Sequence, residues 1–320
     1  MSGDNVISSS VADKGIKTWN DYLCYGILFA MLLSILKAGS YGYYQILFVI
    51  MFMAFTGIKN SYRLLLTFIK CNPIVLGMAV VYAAYNFVSS RDVPSCLFPL
   101  TVFCVIFAGF CVSTGGRDVS IAHRKLWMVL FSISFINIFA VLEGRSLYFA
   151  NADIEMGILV VMAVMTFLFI DDGKIILAGE AVIIFLGVLL LRRGGLDFSN
   201  AFLVKDAAQE FSHGGIMEKI LGHGFLQLMK NTNGISNNTM GELLYDYGLV
   251  AVILFCVLFI YALYVLITDK DKENKKQSFL LMVLMIMSLF YSAVYWENGA
   301  FLLFAEIGVF LGVRARSKDK

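Results

Sequence analysis

Long apolar runs recur along the whole of this chain, and few folds accommodate so many of them. A helix needs roughly 17 to 25 residues to cross a hydrocarbon core, and about ten segments meet that requirement. They centre on residues 21–36, 42–58, 73–89, 97–113, 126–143, 155–171, 174–191, 243–267, 278–296 and 299–313. Because backbone groups in lipid must hydrogen-bond within the protein, runs of this length predict transmembrane helices. We therefore expect an all-α, polytopic integral membrane protein, with residues 1–320 forming a single membrane domain.

The composition supports a lipid environment. Hydrophobic residues form 59% of the 320 residues, charged residues form 15%, and the mean hydropathy is +0.80. Soluble domains are roughly 45–50% apolar and about 25% charged. The formal net charge of +2 gives no indication of nucleic acid as a partner. The six cysteines form no CxxC pair and have no histidine at metal-binding spacing, so we expect no zinc site, disulfide framework or cofactor.

The distribution of Lys and Arg predicts the orientation of the spans. If the N-terminus is cytoplasmic, most of the 25 Lys and Arg residues fall on the cytoplasmic side, as the positive-inside rule requires. Both termini are then cytoplasmic. The polar segment 1–20 lacks the apolar core and cleavage site of a signal peptide, so we expect it to remain as a cytoplasmic tail. Between the second and third spans, "KNSYRLLLTFIKCN" is basic and only partly apolar, which predicts an interfacial helix.

One extracytoplasmic loop, residues 192–241, is long enough to hold a site of its own. Loops of this length are uncommon in compact proteins unless they are functional. Two fragments, "FLVKDAAQEF" and "GIMEKIL", place apolar residues at helical spacing, while "SHGG", "GHG" and "NTNGISNN" are typical of turns. We expect short helices that lie over the outer mouth of the bundle.

Three arginines, Arg145, Arg192 and Arg193, lie at span ends that face this loop. Positive charge on the outer side opposes the orientation bias, and one explanation is that these side chains extend to lipid phosphates. The other explanation is functional. A guanidinium group offers paired donors that suit phosphate oxygens, so the three residues are candidates for binding a phosphate- or pyrophosphate-bearing ligand.

Two carboxylates, Glu242 and Asp246, occur where the loop enters the next apolar run. They are four residues apart, so they share one helix face at the membrane boundary. Repulsion between them and a low dielectric favour a protonated acid at one of the two positions, which is a candidate general acid or base. Alternatively, Glu242 serves the positive end of a helix that Asn237 or Asn238 caps.

The remaining titratable residues also admit two interpretations each. His213 and His223 adjoin glycines and are either candidates for the general base or ordinary loop residues. Glu180 and Glu306 lie within apolar runs, where a carboxylate usually faces a cavity or a partner. They favour a proton-coupled transporter as a rival class, or else they hydrogen-bond to one another or to Asn137. No internal repeat of the span pattern supports the transporter.

Two segments resemble bacterial O-antigen polymerases and O-antigen ligases. The segment "GRSLYFANADIEMGILVVMAV" resembles the Arg-containing outer loop and following helix of that family, with "NAD" in place of its Asn-Pro-Asn turn. The segment "ILGHGFLQLMKNTNGISNNTMGELLYDYGLVAVILF" is similar to the family's Gly-x-Gly-aromatic turn, His-Asn pair and later glycine. In this sequence those positions are Gly222-His223-Gly224-Phe225, Asn237-Asn238 and Gly248. The similarity covers roughly the second half of the chain and the many-span topology.

The resemblance implies a membrane glycosyltransferase of the plasma (bacterial inner) membrane that needs no metal. Its donor would be a glycan on undecaprenyl pyrophosphate, and its acceptor would be a sugar hydroxyl of another lipid-linked repeat unit. Membrane lipids, a flippase and a chain-length regulator are the other implied partners. The base would be one of the four acid–base candidates above. The pyrophosphate would be bound by Arg145, Arg192, Arg193, Asn237 and Asn238.

Asn237 occupies the position where the ligases of this family have histidine. Because an asparagine amide does not transfer a proton at ordinary pH, this difference favours a repeat-unit polymerase over a ligase. The alternatives that stay open are an O-antigen ligase and a lipid-linked oligosaccharide flippase or secondary transporter.

Overall fold

The computed structural model describes residues 58–90, 93–115, 152–194, 204–224, 227–228, 239–289 and 297–318, and eight isolated positions between 123 and 138. The described residues form helices and turns and contain no β-strand, so the predicted all-α class is confirmed for them. The first two predicted spans, apart from Ile58, lie outside the described residues. In chain order the helices are α1 Ile58–Cys71, α2 Pro73–Ser90, α3 Val93–Gly115, α4 Ala152–Phe169, α5 Gly173–Gly194, α6 Val204–His213, α7 Ile216–Leu221, α8 Thr239–Asp246, α9 Gly248–Thr268, α10 Lys272–Met287 and α11 Glu297–Lys318.

Two of these helices are long and apolar enough to cross a membrane, namely α5 over Gly173–Arg192 and α9 over Gly248–Thr268. The pair Tyr62–Cys71 and Pro73–Ser89 is bent by 96° and adds a third span if it is counted as one. Shorter apolar helical stretches occupy Ser95–Cys111 and Met156–Phe169. Large apolar side chains of α9 lie exposed along its length, which is costly in water and favourable in lipid: Leu249, Ile253, Val257, Ile260 and Ile267.

The tightest helix pair is α3 with α11. A Cβ on Gly308 would overlap the carbonyl of Ile106, and one on Gly109 would overlap the carbonyl of Ala305. Gly308 and Gly312 form a GxxxG spacing, which lets two helix backbones approach closely within a membrane. Toward the C-terminus of both helices, a Cβ on Gly312 would overlap the side chain of Ser113, so α3 and α11 run parallel.

The main core lies where α3, α4, α10 and α11 meet. Met162 and Met165 of α4 are buried with Leu281 and Leu284 of α10. Phe310 of α11 joins the same cluster. Dispersion contacts and small-residue packing hold helices together in lipid, because burial from water contributes little there. These helices therefore form the rigid body on which the ends of the bundle are built.

Ion pairs gather at one end of the bundle, which we call the far end. Arg314 is paired with Asp269 just after α9, and Arg316 with Glu273 at the start of α10. At the same end, Arg124 donates to the carbonyl of Phe169 and is paired with Asp171 after α4. Most of the cations that the charge pattern assigns to the cytoplasmic side and that the structure describes occur here, including Lys270, Lys272 and Lys276.

Asp269 gives the far end a defined pH dependence. The backbone N–H of Asp271 is the largest cause that lowers the pKa of Asp269, and the Asn274 amide and Arg314 lower it further against the effect of burial. A carboxyl whose pKa is lowered by folding stabilises the protein above its ordinary pKa of about 3.9, and this contribution is lost as the pH falls through the folded value. We expect Asp269→Asn to lower the melting temperature at pH 7 and to remove part of the loss of stability seen below about pH 4. Thermal unfolding in detergent at a series of pH values measures both effects, and an unchanged acid limb would contradict the assignment.

Candidate functional site

A three-residue turn, Gly222-His223-Gly224, is bonded to the junction between α8 and α9. The N–H of His223 donates to the carbonyl of Tyr245 at 2.8 Å, and the N–H of Gly224 donates to the carbonyl of Asp246 at 3.0 Å. Since α8 ends at Asp246, both acceptors belong to its last turn, where carbonyl groups lack helical partners. The turn therefore completes the end of α8 and is fixed by it.

Only glycine fits at two positions of this contact. Gly222 has φ +84° and Gly248 has φ +70°, a left-handed region that residues with a Cβ rarely adopt. A Cβ on Gly222 would overlap the carbonyl of Asp246, and one on Gly248 would overlap the carbonyl of Ile220. The two glycines that the sequence pattern singled out, 26 positions apart in the chain, thus lie against each other's segments. Gly248 also divides the predicted run 243–267, because its backbone conformation ends α8 and starts α9 in a new direction.

Two tyrosines of α2 hold the same junction from the other side. The hydroxyl of Tyr82 donates to the carbonyl of Tyr247 at 2.5 Å, and the hydroxyl of Tyr85 donates to the carbonyl of Gly222 at 2.7 Å. The Tyr247 ring packs edge-on against Tyr82 and lies over Phe98 of α3. The C-terminal half of α2, the N-terminal part of α3 and the start of α9 therefore meet at one end of the bundle, which we call the site end.

His223 is held in a defined orientation at the site end. Its ring stacks on Tyr245 with centroids 4.1 Å apart, and its Nδ1 lies 3.1 Å from the Tyr245 carbonyl oxygen. Because a carbonyl only accepts, this hydrogen bond places a proton on Nδ1 and leaves the lone pair of a neutral ring on Nε2. The side chain is 17% exposed. A neutral, oriented imidazole of this kind is equipped to take a proton from a hydroxyl group.

Glu218 is the partner of His223 that the sequence pattern did not single out. Its Oε2 lies 3.8 Å from Nε2 of His223, and the same oxygen accepts the N–H of Gly215 at 2.6 Å. The second contact is the carboxylate half of a capping box at the start of α7: Glu218 at the third helical position accepts the N–H of the N-cap residue, and Gly215 has no side chain to complete the box. The approach to His223 depends on the fold of the turn, which no local pattern encodes. A carboxylate at this distance stabilises an imidazolium that forms on His223.

The two boundary carboxylates are both buried, as residues on one helix face can be. Glu242 is 1% exposed and Asp246 is fully buried. Asp246 has a structural task, because its Oδ1 accepts the N–H of Leu228 at 2.8 Å. Together with its carbonyl group, which binds Gly224, Asp246 fixes the chain that follows the turn. Glu242 lies in the first turn of α8, where the positive end of the helix dipole stabilises a negative charge. Proton transfer by either carboxylate stays a prediction.

For the other predicted site residues, the structure describes only some of the side chains. His213 is exposed at the last position of α6, and Arg192 is exposed near the end of α5. The backbone of Arg193 is helical. Arg145, Asn237 and Asn238 lie outside the described residues, so the convergence of the three arginines on one ligand stays a prediction.

A second buried polar cluster lies within the bundle, away from the turn. Glu306 of α11 is within 3.2 Å of Nε2 of His123 and accepts from the amide of Gln277 on α10. All three side chains are almost completely buried. The partners predicted for Glu306 were Glu180 and Asn137; its partners in the structure are His123 and Gln277. Asn137 is outside the described residues. Within the part of the chain that is described, no cluster of three or more His, Cys, Asp or Glu residues is suited to a metal ion.

These features define a protein whose described residues are helical, with helices long and apolar enough to span a membrane and a polar site at one end of the bundle. A family is not shown beyond that class: no protein-family model matches the chain, and no curated protein is significantly similar to it.

Proposed function

We propose that this chain is a polysaccharide repeat-unit polymerase of the plasma membrane. It has about ten spans, cytoplasmic termini and its long loop on the periplasmic or extracellular side. It transfers a glycan from undecaprenyl pyrophosphate to a sugar hydroxyl of another lipid-linked repeat unit. A flippase delivers the units, and a chain-length regulator limits their number.

The observation that carries the proposal is the oriented imidazole of His223 at the site end. Its Nδ1–H is bound to the carbonyl of Tyr245, and its Nε2 is on the side of Glu218. The site lies at the opposite end of α9 from Asp269 and the paired arginines, about 30 Å away along 21 helical residues. The charge pattern supports a cytoplasmic far end, and under the proposed topology the site end then lies at the outer surface, where lipid-linked units are polymerised.

In the proposed reaction Nε2 of His223 removes the proton of the acceptor hydroxyl. The hydroxyl oxygen then bonds to the anomeric carbon of the donor, and the bond from that carbon to the pyrophosphate oxygen breaks. The leaving group carries the charge away as undecaprenyl pyrophosphate. Glu218 stabilises the imidazolium, while Arg145, Arg192 and Arg193 stabilise charge on the pyrophosphate, a preorganised electrostatic effect that is often the largest in catalysis.

Substitution of His223 tests the base. We expect His223→Gln to lower the rate of polymerisation by a factor of about 10² to 10⁴, because a general base contributes that much. In cells that lack the native chain, the variant should yield single repeat units on the finished lipid in place of a ladder of chain lengths on gels. Equal amounts of membrane-inserted protein must be shown by immunoblotting.

His213→Gln is the matched control. His213 also lies in the long loop beside a glycine, but its side chain is exposed, and among the described residues no hydrogen bond joins that side chain to His223 or Glu218. We expect this variant to give the native ladder. A ladder from His223→Gln that equals the native one would remove His223 as the base and leave Glu242 and Asp246 as candidates.

A transporter is the second candidate function, and the buried Glu306 cluster is the observation that favours it. Buried carboxylates within spans are common in proton-coupled transporters. The two functions differ in their response to substitution. Loss of lipid-linked units from the outer leaflet in Glu306→Gln, together with a native ladder in His223→Gln, would favour transport. Polymer that accumulates on its lipid carrier without transfer would instead indicate a ligase.

A further inference from the structure

The amphipathic helix α1 is set at a sharp angle to the bundle. Tyr62–Cys71 and Pro73–Ser89 are bent by 96° at the break between α1 and α2. A proline at the first position of α2 suits a new helix start, and the residue before a proline disfavours helical conformation. The other end of α2 contacts the Gly222 turn, so α1 lies at the far end. If α2 lies along the membrane normal, the 96° bend sets α1 along the membrane surface.

One aromatic side chain fixes the rotation of α1 about its own axis. Phe68 is fully buried. Its ring centroid lies 5.0 to 5.5 Å from the ring centroids of Phe103, Phe107 and Phe110 on α3. Leu64 and Leu65 are partly buried against the same core. The face of α1 opposite Phe68 is consequently directed away from the protein.

That outward face combines basic and apolar side chains. Arg63 and Lys70 are exposed and seven residues apart, which is close to two helical turns, so they lie on the same side. Tyr62 is 58% exposed and Leu66 is 38% exposed beside them. Residues 58–71 contain no Asp or Glu. This combination is typical of helices that lie in the interface of a bilayer.

The cations of α1 differ from the other arginines at the far end. Arg124, Arg314 and Arg316 are each paired with a carboxylate. Among the described residues, no carboxylate lies within ion-pair distance of Arg63 or Lys70. The negative partner of α1 therefore lies outside the described residues. Because α1 runs along the membrane surface, the phosphate groups of anionic lipids are the partner that this position favours.

We propose that the outward face of α1, formed by Tyr62, Arg63, Leu66 and Lys70, binds anionic phospholipids of the leaflet at the far end. Arg63 and Lys70 bind the headgroup phosphates, while Tyr62 and Leu66 enter the acyl boundary. The proposal depends on the membrane class of the protein and not on the glycosyltransferase function. Arg63 and Lys70 each contribute about a five-fold gain in affinity, because the exposed apolar side chains beside them hold the helix against the headgroups.

Lipid titration of the purified full-length protein tests this surface. We expect phosphatidylglycerol to bind to the protein in detergent, as counted by native mass spectrometry, with an affinity that falls about twenty-fold in the double variant Arg63→Gln, Lys70→Gln. Phosphatidylcholine should bind both proteins equally weakly. Added salt should reduce the difference, because exposed charges are screened.

The matched control is the double variant Lys270→Gln, Lys272→Gln, which removes the same charge from exposed positions at the same end. We expect it to retain most of the native affinity. An equal loss in both double variants would show a general effect of net charge and overturn the proposal. So would an unchanged affinity in the α1 variant, or equal competition by inorganic phosphate, which would indicate a site for a free anion. Thermal unfolding of each variant separates lost binding from lost folding.

Discussion

Alanine at Gly248 is expected to lower the melting temperature of the purified protein and, under the proposed function, to abolish polymerisation. The left-handed backbone at this residue costs about 1–2 kcal/mol for a residue with a Cβ. The Cβ would also overlap the carbonyl of Ile220, a backbone atom that no side-chain rotation can move aside. Relief requires the turn to separate from the α8–α9 junction, and we expect a total loss of about 2–4 kcal/mol. Gly222→Ala should behave alike, since its Cβ would overlap the carbonyl of Asp246.

Gly77 of α2 supplies the control for this experiment. A Cβ there meets nothing within 4 Å. Alanine is the better helix former by about 0.8–1.0 kcal/mol, so Gly77→Ala should be neutral or stabilising. Differential scanning fluorimetry in detergent and the glycan ladder measure stability and activity separately. A Gly248→Ala protein with a native melting temperature and a native ladder would show that the turn does not need its present contact.

The second large effect is expected at the α3–α11 contact. Gly308→Ala places a methyl group against the carbonyl of Ile106, and Gly109→Ala does the same at the carbonyl of Ala305. The two helices must then move apart along their length and forfeit the dispersion contacts that hold a membrane bundle together. We expect losses of about 1–3 kcal/mol for each substitution, offset in part by the helix propensity of alanine. The combined variant should fail to accumulate in the membrane.

Gly187→Ala on α5 is the comparison for this pair. Its Cβ would lie 3.7 Å from the sulfur of Met156, an ordinary contact with a flexible side chain. Yield of folded protein after size-exclusion chromatography and the melting temperature should match those of the native chain. If Gly308→Ala equals Gly187→Ala in both measurements, the close approach of α3 and α11 is not required for stability.

Some parts of this structure were predictable because they follow from local periodicity. The helical class follows from the apolar runs, and the perpendicular setting of α1 agrees with its basic, partly apolar sequence. Gly222 and Gly248 were singled out by the resemblance to O-antigen polymerases and ligases, and the structure brings them into contact. Local signals of this kind predict structure well because the conformation of each segment depends largely on its own residues.

Other parts depend on contacts between distant segments, which no spacing reveals. His123 and Glu306 are 183 positions apart, so nothing near either residue indicates the other. Glu218 was overlooked because its capping role is ordinary and only the turn brings it to His223. Apolar residues continue through Gly248, so the sequence predicts one span over 243–267, whereas the structure ends α8 at Asp246 and begins α9 at Gly248.

The attachment of the His223 turn to the first residues of α9 has a geometric consequence for polymer growth. If α9 spans the membrane, a side chain held at its N-terminal end stays at a constant height above the bilayer. Under the proposed function, every linkage is therefore made at the same level, whatever the length of the polymer already built. The growing product has to slide outward past a stationary point, one repeat at a time.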